Sequence, residues 1–355
     1  MKLTKPNYNQ LLDSIGSTLQ NARENAYKAI NTELVKANWE IGKHIVEFEQ
    51  SGKVRAEYGA ELLIKLSTDL KIKYGKGFSR SNLQLMRLFY TKYPKFQTSS
   101  GKSSIRQTVS GKSEKRQTAP GILLSWSHYA ELLTISDDLA RNFYEKQAIK
   151  ENWSFREMKR QIDSALFHRL ALSKDKKGVL ALAEKGQELF SPKDAVKDPY
   201  VFEFLELPKE GIIKERDLEK KLVDNLQNFL MELGKGFSFV SKQFKITLDN
   251  DHYYIDLVFY HRILKCFVLI DLKTKKVKHQ DIGQMNLYLN YFKTEENTSG
   301  DNEPIGIIIA ADKHDLLVQY ATGGLSNKIF VSKYQMYLPD QKTLTKKLKE
   351  LMYND

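Results

Sequence analysis

The run LKCFVLIDLK at residues 264–273 carries Asp271 and Lys273 at the end of a stretch that is largely apolar on both faces from Cys266 to Ile270. Such a run reads as an interior strand, and residues two apart on a strand share a face. An acid and an amine leaving a buried strand together are costly unless they pair or bind something. Asp256 interrupts the preceding run YYIDLVFY in the same way. Across a hairpin with a two- or four-residue connection, any same-face partner of Asp256 has the parity of Asp271, which sets the carboxylates roughly 5–8 Å apart. That spacing can hold one hard divalent cation, with the backbone carbonyl of Leu272 as a further oxygen ligand. The chemistry would be metal-assisted phosphodiester hydrolysis: the cation polarises the phosphate and acidifies its bound water, and Lys273 orients that water or neutralises developing charge. Taken alone, the Asp271-x-Lys273 pair reads as an ion pair that satisfies itself. Asp256, in the preceding strand, turns the reading towards a site.

Three runs form the strands: FSFVSKQFKITL, HYYIDLVFYH and LKCFVLIDLK, with a turn at Asp249-Asn250-Asp251 and a short connection around Arg262 and Ile263. Before them, Leu218, Leu222, Leu226, Phe229 and Leu233 recur at helical spacing and predict one helix over about 216–233. Glu219 flanks its apolar face, either pointing inward to the site or serving as a first-turn glutamate favoured by the helix dipole. After them, a helix over about 280–293 carries Gln284 and Tyr288 one turn apart, as site residues or as a polar fringe. IGIIIAA and IFVS supply further strands. The order α-β-β-β-α-β is an α/β sandwich around a mixed sheet.

The N-terminal half reads as helical. Leu11, Leu12, Ile15 and Leu19, then Ile30, Leu34, Ile41 and Ile45, predict one long helix or two joined near Asn31. Leu62, Leu63, Leu66 and Leu70 mark another. Residues 61–91 resemble a helix-turn-helix, with GKGF as the turn and Ser79 as N-cap of the second helix. Arg80, Gln84 and Arg87 would face a groove, Asn82 would reach a base edge from the first turn, and Leu85, Leu88 and Phe89 would pack inward. A plain helical hairpin with a solvated face is the competing reading. A ten-residue repeat starts at 97, 107 and 117, and the segment of about 96–119 reads as a disordered loop. Its basic residues suit sequence-blind phosphate contact. Ser154 caps a helix over about 155–171. The Lys-, Ala- and Gly-rich stretch 172–200 reads as a linker. The division is therefore a helical domain at 1–171, a linker, and an α/β domain at 201–355.

The 355 residues carry a net charge of +12, a pointer to nucleic acid that decides nothing alone. One cysteine, Cys266, excludes an internal disulfide framework and a cysteine zinc cluster. No apolar run is long enough for a membrane span and no secretory leader is legible, so the expectation is a cytoplasmic protein without membrane partners. Gly101-Lys102-Ser103 and Gly111-Lys112-Ser113 lack the earlier glycine and the leading strand of a phosphate loop.

Glu219, Asp256, Asp271-Leu272-Lys273 and Gln284-x-x-x-Tyr288 in this element order resemble the PD-(D/E)xK nuclease core. The phrases DPYVFEFLEL, MELGKGFSFVSKQ, YYIDLVFYHRILKCFVLIDLK and DIGQMNLYLNYF are similar to the YhcG-type branch of those nucleases. NWEIGKHIVEFEQSGKVRAEYG, GFSRSNLQLMRLFY and LSWSHYAELL resemble the helical domain paired with it. The resemblance implies a two-domain α+β protein, all-α at the N-terminus and restriction-endonuclease-like at the C-terminus. It implies Asp256, Asp271 and Lys273 as the metal-and-catalysis set, Glu219 as a further acidic contributor, and Gln284 and Tyr288 as shaping the pocket. The motif's proline is replaced by Ile255. Mg²⁺ or Mn²⁺ is the expected cofactor, DNA the expected partner, and a homo-oligomer is compatible with cutting two strands. The alternative is a catalytically idle nucleic-acid-binding accessory protein on a nuclease fold.

Overall fold

The computed structural model describes residues 5–51, 56–94, 96, 124–189, 191–207 and 214–353. Apart from Phe96, the repeat lies outside them. The chain divides into two compact units, Met1–Arg141 and Asn142–Asp355.

In the first unit, α1 (Lys5–Ser51) is one uninterrupted helix, followed by α2 (Ala56–Tyr74), α3 (Arg80–Lys92) and α4 (Trp126–Leu132). Ser79 caps α3 as expected, its side chain accepting the Asn82 amide at 3.1 Å. The buried face of α3 is Leu83, Met86 and Phe89, whereas Leu85 and Leu88, expected to pack inward, are only half-buried. Close approach of α1 to α3 decides this. A Cβ at Gly42 would lie 1.9 Å from the Met86 carbonyl oxygen, so glycine is what lets the two backbones meet. Ile45, Leu63, Leu83 and Met86 form the core there. Phe89 extends it with rings of Tyr93, Phe96, Trp126 and Tyr129. Val35, Trp39, Gly42 and Ile45 are the buried positions among the described residues of α1. Leu11, Leu12, Ile15, Leu19, Ile30 and Leu34 are exposed.

Across the boundary runs α5 (Asp138–Glu151), and the second unit continues with α6 (Phe155–Asp163), α7 (Leu166–Ala171) and α8 (Lys176–Lys185). The helix expected over 155–171 breaks at Ala165, which takes a left-handed φ of 51°. Residues 172–200 are not a structureless linker, since they hold α8 and a 3-10 turn at Pro192–Ala195. The remaining elements are β1 (Tyr200–Val201), α9 (Glu215–Asp224), α10 (Leu226–Leu233), β2 (Phe237–Leu248), β3 (Asp251–His261) and β4 (Cys266–Lys276). After these come α11 (His279–Tyr291), β5 (Ile305–Asp312), α12 (Asp315–Thr322), β6 (Lys328–Gln335) and α13 (Gln341–Tyr353). Asn225, at φ −111° and ψ 34°, splits the single helix expected over 216–233 into α9 and α10.

The sheet order is β1-β6-β5-β4-β3-β2. β2, β3 and β4 pair antiparallel, while β4–β5, β5–β6 and β6–β1 are parallel. This is the mixed sheet with helices on both faces that the element order predicts. Leu218, Leu222, Phe229 and Leu233 pack with Leu257, Phe259, Val268 and Ile270 on one face. Ile282, Met285 and Leu289 pack with Val258, Leu269 and Ile308 on the other. Cys266 is a buried core residue, its thiol pushed up to about 11 by burial.

Glu232 holds α6 and α7 within the second unit. This carboxylate is fully buried near the end of α10, 2.7 Å from Arg169 and 3.1 Å from Arg160, and accepts the Val201 amide at 3.0 Å. Lys197 donates to its backbone carbonyl. One side chain thus ties α6, α7 and β1 to α10. Burial alone would raise the Glu232 carboxyl, but Arg169, Lys197 and Arg160 overcome it and hold it at about 2. Glu232→Ala leaves these cations buried without a counter-charge and should cost about 3–5 kcal/mol in urea unfolding of the full chain. Because the folded value lies below the unfolded one, this stabilisation is present above the ordinary carboxylate range and fades as pH falls towards 2.

Candidate active site

The β3–β4 register runs Leu257 with Ile270, Val258 with Leu269 and Phe259 with Val268. One further step sets Asp256 opposite Asp271. Asp271 follows Leu269 on the face that α11 covers, and Asp256 meets it from the point where β3 changes face, since Ile255 and Val258 both pack in that cluster. The paired ladder ends here, and Oδ2 of Asp256 accepts the Leu272 amide at 2.8 Å. Lys273 Nζ lies 2.7 Å from Asp271 Oδ2. Lys273 is thus the partner of a carboxylate that is itself almost fully buried, 3% exposed. The two aspartates and the lysine therefore converge, as their spacing predicts.

Glu219, on α9, is 8% exposed and points inward. It meets the aspartates through Gln243, whose Nε2 lies 2.6 Å from Glu219 Oε2 and 3.1 Å from Asp256 Oδ1. Gln243 is the residue that reading the sequence for chemistry missed. A bulge in β2 between Phe239 and Ser241 shifts the register, so that Gln243 falls across from Asp256 between the pairs Lys242–Leu257 and Phe244–Ile255. Its φ of 48° is unusual for a residue with a side chain. Nothing in the local residue types signals that conformation. Glu215, also on α9, accepts the Thr274 amide at 3.3 Å and fixes the strand just beyond Lys273.

Gln284 donates to the Tyr288 hydroxyl, which in turn donates to the Tyr254 carbonyl at 3.0 Å. The pair is thus built into the α11–β3 contact, with Tyr288 fully buried. Its phenol is raised by burial, and the charge of Asp271 also acts on it.

Burial is the main force on the acids. It raises Glu219, against the Gln243 hydrogen bond. It raises Asp256, against the Leu272 amide and the Lys273 charge. Asp271 is pushed up to about 7, first by burial and then by the Asp256 charge, with Lys273 opposing. Burial would lower Lys273, but Asp271 outweighs it and raises the amine. Among the described residues no three His, Cys, Asp or Glu side chains are grouped closely enough to form a ready metal cluster. The expected ligand set of Asp256, Asp271, Glu219 and Leu272 is therefore a carboxylate pair with Glu219 set behind a glutamine, and Leu272 is seen contributing its amide to Asp256.

The four residues expected to contact nucleic acid separate into two pairs. Arg80 and Gln84 are exposed on α3. Asn82 donates to the Gly77 carbonyl and accepts the Trp126 indole at 2.9 Å, so it locks the turn. Arg87 donates to Glu49 on α1 at 2.7 Å. Asn82 and Arg87 are committed within the helical unit.

The sheet order and the acidic pair at its β3–β4 junction define a nuclease domain of the PD-(D/E)xK, restriction-endonuclease-like class. Residues 193–349 match the family model of the YhcG PDDEXK nuclease domain, and residues 14–169 match that of the DUF1016 N-terminal domain. The chain is 38% identical over 356 residues to the putative nuclease YhcG of Escherichia coli (strain K12), covering 97% of this chain and 94% of that one. The chain belongs to the YhcG nuclease family. Among solved structures, a repair endonuclease from Pyrococcus abyssi aligns at 15% identity and a TM-score of 0.26, over 38% of this chain and 50% of that one. EndoMS in complex with double-stranded DNA aligns at 11% identity and a TM-score of 0.25, over 38% of this chain and 50% of that one. No helix among the described residues is long and apolar enough to cross a membrane.

With Asp271 raised to about 7 from 3.8, ionising it weakens the fold as pH rises between those values. In EDTA at pH 8, Asp271→Asn should be more stable than the unaltered protein by about 2–4 kcal/mol. Thermal melts across pH check this: the gap should narrow towards pH 5.

Proposed function

We propose that the second unit is a divalent-metal-dependent nuclease that hydrolyses phosphodiester bonds in DNA. The observation that carries this reading is the buried pair Asp256 and Asp271 beside the Lys273 amine. Two adjacent carboxylates withdrawn from water, with a single lysine to offset them, match the needs of a hard cation. Asp256 and Asp271 would hold Mg²⁺ or Mn²⁺, with Glu219 and the Leu272 carbonyl as the further oxygen donors. When bound, the cation supplies Lewis acidity and a water of lowered pKa.

The protein's own groups do the rest. Lys273, kept protonated by Asp271, places a positive charge where negative charge develops on a phosphate. Gln243 holds Glu219 and Asp256 at fixed separation. Gln284 and Tyr288 hold α11 against β3 and set one wall of the site. On α3, Arg80 and Gln84 stand free to meet a DNA groove, and exposed Lys71 and Lys76 border the preceding turn. A net charge of +12 favours a polyanion.

The full-length protein should cut one or more of labelled duplex, single-stranded and junction DNA with Mg²⁺ or Mn²⁺, and EDTA should stop it. Asp271→Ala and Lys273→Ala should each lower the rate at least about 100-fold with cooperative unfolding retained. Gln243→Ala should lower it roughly 10-fold, as for loss of a group that orients a metal ligand. Cleavage unchanged in both Asp271→Ala and Lys273→Ala overturns the assignment. An idle nuclease fold would bind DNA and cut none of these substrates.

Arg80→Ala should weaken DNA binding and flatten the slope of log affinity against log salt by about 1. Asn82→Ala should instead lower the melting temperature, since it removes the Trp126 and Gly77 bonds.

A further inference from the structure

Among the described residues, the first half of α1 packs against no other element. Every residue from Tyr8 to Ile30 is exposed. Nine of the 26 residues from Tyr8 to Glu33 are Asn, Gly, Ser or Thr, which are weak helix formers. Such a stretch does not hold helical form in water by propensity alone and requires an apolar face packed on something.

That face is present. Tyr8, Leu12, Ile15, Leu19, Ala22, Ala26 and Ala29 follow one another at alternating steps of four and three. This is the heptad seam of a coiled coil. At 100° per residue the seam lies roughly 170° around the helix from Val35, Trp39 and Ile45, the positions that pack into the helical unit. Among the described residues, the helical unit leaves it uncovered.

The seam is graded in size. Its N-terminal half carries Leu12, Ile15 and Leu19 and its C-terminal half Ala22, Ala26 and Ala29. Two parallel copies in register would oppose leucine to leucine at one end and alanine to alanine at the other, at incompatible helix separations. Two antiparallel copies set Leu12 against Ala29, Ile15 against Ala26 and Leu19 against Ala22, so each of these layers is one large and one small side chain, with Tyr8 against Glu33 at the ends. A two-fold axis between residues 20 and 21 generates all of these layers at once, the self-complementary contact of a symmetric dimer. Covering the seam and its flanking Leu11 and Ile30 on both copies removes on the order of 1,000 Å² of surface, enough for a specific interface.

We infer that residues 8–33 of α1 form an antiparallel coiled coil with the same segment of a second copy of this chain. The partner is this chain itself because the graded seam complements its own reverse.

Sedimentation equilibrium of the full-length protein at micromolar concentration should give a dimer. The double variant Leu12→Glu/Leu19→Glu should be monomeric, with an unchanged near-ultraviolet spectrum showing that the folded units persist. Ile15→Cys mixed with Ala26→Cys and oxidised should form a disulfide-linked heterodimer, whereas Ile15→Cys alone should not link to itself. A monomeric unaltered protein, or a double variant that remains dimeric, overturns the inference. Self-linking of Ile15→Cys overturns the antiparallel arrangement. None of these readouts involves cleavage, so they stand apart from the nuclease reading.

Discussion

Asp256 and Asp271 sit side by side at the point where the β3–β4 ladder stops. Water would separate and solvate such charges, and burial denies them that, so Asp271 is pushed up to about 7. The surroundings hold the pair rather than relieve it. The Leu272 amide grips Asp256, Lys273 grips Asp271, and Gln243 ties Asp256 to Glu219. Concentrating acidic groups in this way suits the proposed cation, and the apolar sheet beneath is what prevents the pair from relaxing.

The rest of the second unit serves that placement. Apolar residues on both faces of β4 keep it central, with β3 antiparallel on one side and β5 parallel on the other. α9 brings Glu219 and Glu215 to the strand ends. α11 presses Tyr288 onto β3 through a hydroxyl that bonds a backbone carbonyl. Glu232 fastens α6 and α7 to the same framework, which is why helices that the sequence assigns to the N-terminal half pack with the nuclease sheet.

The convergence of Asp256, Asp271 and Lys273 was legible because strand alternation has a fixed period and a short hairpin preserves parity. Ser79 was legible because its type and position meet the demand of an N-terminus. Other features were not. Gln243 depends on a bulge three residues earlier and on a left-handed backbone that glutamine does not announce. Ala165 and Asn225 break helices whose apolar spacing runs straight through them, since tertiary packing overrides local preference there. Glu232 looks like an ordinary solvent-facing residue near a helix end until Arg160 and Arg169 arrive from distant elements. Asn82 and Arg87 have the right types for reading DNA, but their partners Trp126 and Glu49 lie far away in the chain.

Cation binding by the carboxylate pair is the central requirement, and calorimetric titration of Mn²⁺ into the full-length protein measures it directly. Binding should saturate near one ion per chain with proton release around pH 7, and should be lost when both Asp256 and Asp271 are changed to Asn. Equal binding by that folded double variant, or no binding by the unaltered protein, would contradict it.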